Sequence, residues 1–259
     1  MNKAGKISRN VVLILIALLW AVPLIFMVEK SLEDGGFANY ATILQEENLP
    51  RNFLNSVVVT GGTIAVVLAV TLLAGFAFSK LKFRGKNALY LIVLAGLMIP
   101  APTLIVPLSQ LIKTLGLMNN PLSLIGIYSA LQVPFSLLIM KNYFDELPNE
   151  LIESGIVDGC SIFKAFRKIL LPLCAPVISA VTVFTFLASW NEFLLAFMFM
   201  KKEIYQTLTV IPYSFTQMFL SDLPRMFASL TIIALPIIIL YICLQKQFEQ
   251  GLTAGSVKG

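Results

Sequence analysis

From Phe53 to Ser79 the chain carries no charged residue. As an α-helix this run is about 40 Å long, more than the roughly 30 Å hydrocarbon core of a bilayer. A helix of that length in water needs a polar face, and this one has none. Five more apolar stretches follow the same rule, at about 11–28, 88–112, 122–140, 171–200 and 226–245. The reading is an all-α membrane protein of six transmembrane helices, forming a single domain over 1–259. Composition agrees: 58% of residues are hydrophobic and only 13% are charged, about half the usual share of charge. So little charge cannot coat a water-soluble globule, but a lipid-facing surface needs no such coat.

The net charge of +5 does not point to nucleic acid, because the basic residues lie between apolar stretches and form no continuous face. The chain has no histidine, which excludes His-based metal ligation and His acid–base catalysis within it. Cys160, Cys174 and Cys243 are too scattered for a zinc site and fall in no predicted outer loop, so neither a metal nor a structural disulfide is expected. No catalytic residue is assigned. The basic N-terminal start lacks a small-residue cleavage site, and the first apolar stretch is expected to be retained as a span. With the N-terminus in the cytoplasm, 13 of the 19 Lys and Arg fall on the cytoplasmic side, which also places the C-terminus there.

Pro100, Pro102 and Pro107 interrupt the third stretch. Each removes an amide donor and clashes with the preceding turn. Two readings remain open, a kinked structural helix or a broken helix beside a translocation path. Pro23 and Pro236 read as single kinks. Gly61, Gly62, Ala65, Ala69, Ala74 and Gly75 give the second stretch a small-residue face suited to close helix packing.

The loop at about 142–171 is too polar to cross lipid and too patterned to be disordered. Pro148 suits a helix first turn, and Glu150 and Glu153 lie where the helix dipole favours anions. Leu151, Ile152, Ile156 and Val157 form an apolar, partly buried face. Asp158-Gly159 stops that helix, and Ser161 can cap a second one. The second helix places Lys164, Arg167 and Lys168 on one side and Phe163, Phe166 and Ile169 on the other. From spacing alone, this hairpin is either an amphipathic loop on the membrane or a docking element. Glu192, in Trp190-Asn191-Glu192-Phe193, is a charge within a span, which costs about 2.5–3.5 kcal/mol at mid-bilayer on insertion scales. It therefore either lines a polar path or caps and braces a neighbouring helix.

Glu153-Ser154-Gly155-Ile156-Val157-Asp158-Gly159-Cys160, followed by Ile169-Leu170-Leu171-Pro172, resembles the EAA loop of binding-protein-dependent ABC permeases. Glu153, Asp158, Gly159, Ile169, Leu171 and Pro172 match its pattern. Ser154, Gly155 and Cys160 replace alanines, and Gly155 should cost the helix about 1 kcal/mol relative to Ala. Trp190–Phe193, Thr207–Val210 and the tail Gly251–Gly259 are similar to the carbohydrate-uptake branch, in the subunit type of the maltose permease G component.

The resemblance implies a permease subunit for a di- or oligosaccharide, with an EAA coupling loop that docks on an ATPase through Glu150, Glu153, Ser154, Gly155, Asp158, Gly159, Ser161, Phe163, Phe166 and Arg167. On the path-lining reading of Glu192, Trp190, Asn191 and Glu192 lie along the sugar path, with Asn191 hydrogen-bonding hydroxyls and Trp190 stacking on a sugar face. The implied partners are a second permease subunit, two ABC ATPase subunits and an extracytoplasmic solute-binding protein, which the segment at 200–225 is expected to meet. No G-x-x-x-x-G-K-[ST] loop occurs, since Gly5-Lys6 and Gly85-Lys86 lack the upstream glycine. ATP and Mg therefore belong to the ATPase partners, and this chain carries no cofactor. The rival readings are a proton- or ion-coupled secondary transporter, a membrane-embedded enzyme and a membrane scaffold.

Overall fold

The structure is a computed structural model describing residues 3–45, 48–216 and 222–254, side chains of 3–8, 244 and 246–254 excepted. The described residues form helices α1 (Lys3–Ser31), α2 (Phe37–Leu44), α3 (Leu49–Lys80), α4 (Lys86–Ala95), α5 (Ile105–Thr114) and α6 (Pro121–Glu146). These are followed by α7 (Glu150–Val157), α8 (Ile162–Ala165), α9 (Leu171–Leu173), α10 (Ala175–Trp190), α11 (Leu194–Phe199), α12 (Ile211–Ser214) and α13 (Leu223–Ala254). Contacts divide the chain into two compact units, 1–49 with 208–236 and 50–207 with 237–259.

In the first unit, α1 exposes almost its whole apolar surface, with Trp20 at 76%. Such a helix is stable only if something apolar covers it, and lipid does so without any backbone cost. Phe26 of α1 meets Phe227 of α13 edge to face at 6.1 Å. The α1–α2 turn is held by Asn39, whose buried amide donates to the carbonyls of Ser31 and Glu33 at 2.9 Å each.

In the second unit, α3 and α6 run parallel and nearly touch. A methyl added at Gly62 would lie 2.6 Å from Ile125 Cδ1, and one at Gly75 would lie 2.9 Å from Met140 Cγ. The small-residue face is therefore a packing face at these two positions, whereas Gly61 meets open space. Helix α10 packs against α6, with Phe135 and Phe184 edge to face at 5.5 Å. Val67 and Phe76 of α3, Met140 and Phe144 of α6, Phe166, Leu170 and Cys174, and Val177 and Val181 of α10 close one buried core.

Four of the expected spans are helices long and apolar enough to cross a membrane: α1, α3, α6 and α13. The other two differ from expectation in instructive ways. The third is broken, with Lys86–Met98 and Ala101–Thr114 meeting at 94°. Ile99 and Pro100 are extended between them, as proline requires of the residue before it. A bend this large is a break, not a kink. The fifth does not run from 171 to 200. α9 and α10 separate at Cys174, where the chain bends by 74°, and Pro176 sits in the first turn of α10. The helix then stops at Trp190, and α11 follows as a separate short turn.

Candidate functional site

The loop before α10 is the helical hairpin expected from its pattern. Helix α7 ends in a Schellman motif: Cys160 N–H donates to Gly155 O and Gly159 N–H to Ile156 O, both at 2.9 Å. Gly159 has φ +80°, in the left-handed region that only glycine occupies without strain. Ser161 then caps α8, its hydroxyl accepting from Lys164 N–H at 3.3 Å. α8 passes into a single π turn at Phe166–Leu170, a feature frequent at functional sites, and then into α9.

Glu150, Glu153, Ser154, Asp158, Gly159, Ser161, Phe163 and Arg167 are exposed on this hairpin. Phe163 stands 63% open. Gly155 and Phe166 are not on the outer surface, and here the sequence reading is corrected. Phe166 is 5% exposed and packs in an aromatic trio, 4.7 Å from Phe76 and 6.3 Å from Phe144. Gly155 faces inward, where a methyl would lie 2.7 Å from Ile169 Cδ1. The glycine that looks like a helix defect in sequence is the contact that lets α7 lie close on the π turn.

The apolar residues of α7 also divide. Leu151 and Ile152 pack on the core, whereas Ile156 and Val157 point outward, Val157 at 86% exposure. Ile162 is exposed beside them. The signal was available, because Val157 lies five positions from Ile152 and so falls off the 3.6-residue stripe that includes 152 and 155. The outer surface thus combines Ile156, Val157, Ile162 and Phe163 with the acids of α7 and the bases Lys164, Arg167 and Lys168.

The second candidate site is the turn between α10 and α11. The Glu192 carboxylate accepts from Leu195 N–H at 2.8 Å, Ala196 N–H at 3.1 Å and the Tyr128 hydroxyl at 2.5 Å. It therefore caps α11 and ties that helix to α6, which is the bracing alternative for this residue. Trp190 is 3% exposed, stacked on Phe186 at 5.3 Å and met edge-on by Phe53 at 6.0 Å. In this conformation its face is not open to a sugar. Asn191 is exposed, with its amide turned back to Leu187 O at 3.0 Å.

Near this turn, two asparagines hold the segment after α11. Asn119 accepts from Lys202 N–H at 2.9 Å, and its own N–H donates to Phe199 O at 3.1 Å. Asn55 donates to the carbonyls of Ile204 and Gln206 at 3.0 Å each. Sequence reading missed both, since an isolated asparagine carries no local signal of a partner some 80 or 150 positions away. Among the described residues no cluster of His, Cys, Asp or Glu is arranged to hold a metal ion.

A profile of the family of binding-protein-dependent transport system inner membrane components matches residues 67–254, which include the whole hairpin and the Glu192 turn. The chain belongs to this family. The probable ABC transporter permease protein YurM of Bacillus subtilis is 32% identical, with 98% of this chain and 89% of that one covered. The trehalose/maltose transport system permease protein MalG of Thermococcus litoralis is 30% identical, covering 98% and 99%. In fold, the chain is similar to a chain in the crystal structure of a bacterial ABC transporter involved in the import of the acidic polysaccharide alginate. The TM-score is 0.79 at 20% identity, over 96% of this chain and 99% of that one. As a permease of this family, the chain is a transport component of the inner membrane. The last five residues of the tail motif, 255–259, lie outside the described residues.

Proposed function

We propose that this chain is one of two different permease subunits in an ATP-driven importer that carries a di- or oligosaccharide into the cytoplasm. The observation that carries the reading is the α7–α8 hairpin. It exposes Ile156, Val157, Ile162 and Phe163 together with Glu153, Asp158 and Arg167, on a rigid turn rooted in the core. Exposed apolar groups rimmed by charge mark a protein-binding surface. The chain has no nucleotide-binding loop, so an ATPase partner is the occupant that gives this surface a purpose.

Two ATPase subunits would hold ATP and Mg and grip the hairpins, one on each permease. A solute-binding protein would deliver the sugar from outside. ATP-linked contacts at the hairpin differ between the closed and open ATPase pair, and that difference is what shifts the spans between outward and inward access. The distribution of Lys and Arg supports cytoplasmic N- and C-termini and a cytoplasmic hairpin. The sugar class is supported by the trehalose/maltose role of the Thermococcus relative and by the Trp190–Phe193 and tail motifs. The site residues proposed for docking are the exposed ones, Glu150, Glu153, Ser154, Asp158, Gly159, Ser161, Phe163 and Arg167. Asn191 remains the exposed candidate on the sugar path.

The test is a disulfide or maleimide crosslink from Asp158→Cys to the co-purified ATPase. Cys160 and Cys243 are first replaced by Ser, while Cys174 is buried. The crosslink is expected to form and to change in yield through the nucleotide cycle. Its absence in every nucleotide state overturns the docking reading. Uptake in vesicles driven by a proton gradient without ATP overturns the energy source.

A further inference from the structure

The last turn of α3 grips the segment that leads into the hairpin. Ser79 Oγ donates to Asp145 Oδ1 at 2.6 Å, and Lys141 Nζ donates to the other oxygen of the same carboxylate at 2.5 Å. Lys80, the final residue of α3, donates to Leu147 O at 2.5 Å and to Asn149 Oδ1 at 2.9 Å. Lys86 closes the other side, donating to the carbonyls of Ser79 and Leu81 at 3.1 Å each. Leu147 follows the last residue of α6 and Asn149 precedes α7, so the two bonds of Lys80 fall on either side of Pro148.

Asn149 is the telling partner. An asparagine before a helix ordinarily turns its side-chain oxygen onto the first free amides of that helix. Here Asn149 makes no such bond, and its oxygen accepts from Lys80 instead. The chain joins α7 to α6 through residues 147–149 alone, and a peptide link of that length can swivel about its backbone dihedrals. Packing of Leu147, Leu151 and Ile152 on the core limits that freedom from one side, and Lys80, one ammonium with three donors, ties both ends of the link to α3.

We propose that Lys80 is the positioning residue that makes α7 move as one body with α3 as well as α6. The proposal rests on the hairpin being the docking element. A push on α7 by the ATPase then reaches two parallel spans at once. Without Lys80 it reaches α6 covalently, and α3 only indirectly, through the Ser79–Asp145 bond to α6 and through side-chain packing.

The experiment uses the full complex reconstituted in vesicles, measuring sugar transported per ATP hydrolysed beside the Asp158→Cys crosslink. Lys80→Met keeps the methylene stem and removes the donors. It is expected to retain the crosslink and ATP hydrolysis while the transport-to-ATP ratio falls about fivefold or more, the lower end of ordinary coupling free energies. Lys80→Arg, which restores the donors, is expected to recover most of the ratio. Asn149→Ala removes one acceptor from outside α3 and costs α7 no cap, so it keeps the proposal testable if Lys80→Met fails to assemble. It too should lower the ratio. A ratio equal to wild type in Lys80→Met, or in Asn149→Ala where Lys80→Met does not assemble, overturns the proposal while leaving docking intact, provided the crosslink forms. Loss of the crosslink in the wild-type background overturns docking, and this proposal with it. A ratio that falls equally in Lys80→Met and Lys80→Arg also overturns it.

Discussion

The sharpest consequence of the structure concerns Glu192. Its carboxylate takes two backbone N–H donors at the start of α11 and the Tyr128 hydroxyl. Glu192→Gln leaves one accepting oxygen. The new NH2 then faces either Leu195 N–H or Ala196 N–H, and a backbone donor cannot rotate away, whereas the Tyr128 hydroxyl can turn and accept. One unsatisfied amide costs about 1–3 kcal/mol. Loss of the anion from a helix N-terminus adds about 0.3–1 kcal/mol. The expected loss is therefore about 1–4 kcal/mol for Glu192→Gln, and more for Glu192→Ala, which strands both amides and Tyr128. Thermal unfolding of the purified complex should show midpoints falling in the order wild type, Gln, Ala. The Tyr128→Phe/Glu192→Gln pair should be non-additive, as two residues sharing one hydrogen bond are. The apparent KM for sugar should stay near wild type in whatever fraction remains folded. Refutation takes a specific form: unchanged melting in Glu192→Gln together with a large rise in KM. That result would make the carboxylate a sugar ligand and its cap incidental.

The hairpin gives a contrasting set of predictions. Phe166→Ala empties a site between Phe76 and Phe144 and should destabilise the complex by about 3–5 kcal/mol, seen as an earlier melt, and should also lower the transport-to-ATP ratio of the fraction that stays folded. Val157→Asp changes a side chain that is 86% exposed, so melting should hold within about 0.5 kcal/mol while ATP-driven transport fails. Gly159→Ala forces an L-residue to φ +80° at a cost of about 1–2 kcal/mol, and should weaken both melting and ATPase crosslinking. Gly155→Val should push Ile169 and α7 apart, with a larger loss of crosslinking yield than Ser154→Val on the exposed side of the same helix.

Much of this fold is legible without coordinates because the bilayer leaves few choices. An uncharged run the length of 53–79 fits a spanning helix, and α3 is a single helix long and apolar enough to be one. The Asp158-Gly159 turn and the Ser161 cap were also legible, since each depends on local backbone chemistry. What the sequence misjudged depends on partners far along the chain. The inward turn of Phe166 is decided by Phe76, 90 positions earlier, and that of Gly155 by Ile169. Trp190 reads as a sugar platform until Phe186 and Phe53 are seen to occupy its surroundings. The break at Ile99–Pro100 was foreseeable as irregular backbone. Its 94° angle was not, because local chemistry says that a helix must stop there but not where the next one points.

The inward turns of Phe166 and Gly155 share one feature of how the hairpin is built. The proposed docking role requires a surface that is exposed on one side and rigidly rooted on the other. The eight residues of α7 meet both demands by dividing their apolar side chains, with Leu151 and Ile152 inward and Ile156 and Val157 outward. Beneath them Phe166 is the root, shared by α3 and α6 through Phe76 and Phe144 and continued into α10 through Leu170, Val177 and Val181. Interiors packed at crystal-like density transmit displacement instead of absorbing it. A shift of the hairpin therefore enters three spans at one point, and the polar bonds of Ser79 and Lys80 hold the same junction from its edge. A loop merely resting on lipid headgroups would need no such root, and this is what the buried trio adds in support of the proposed docking role.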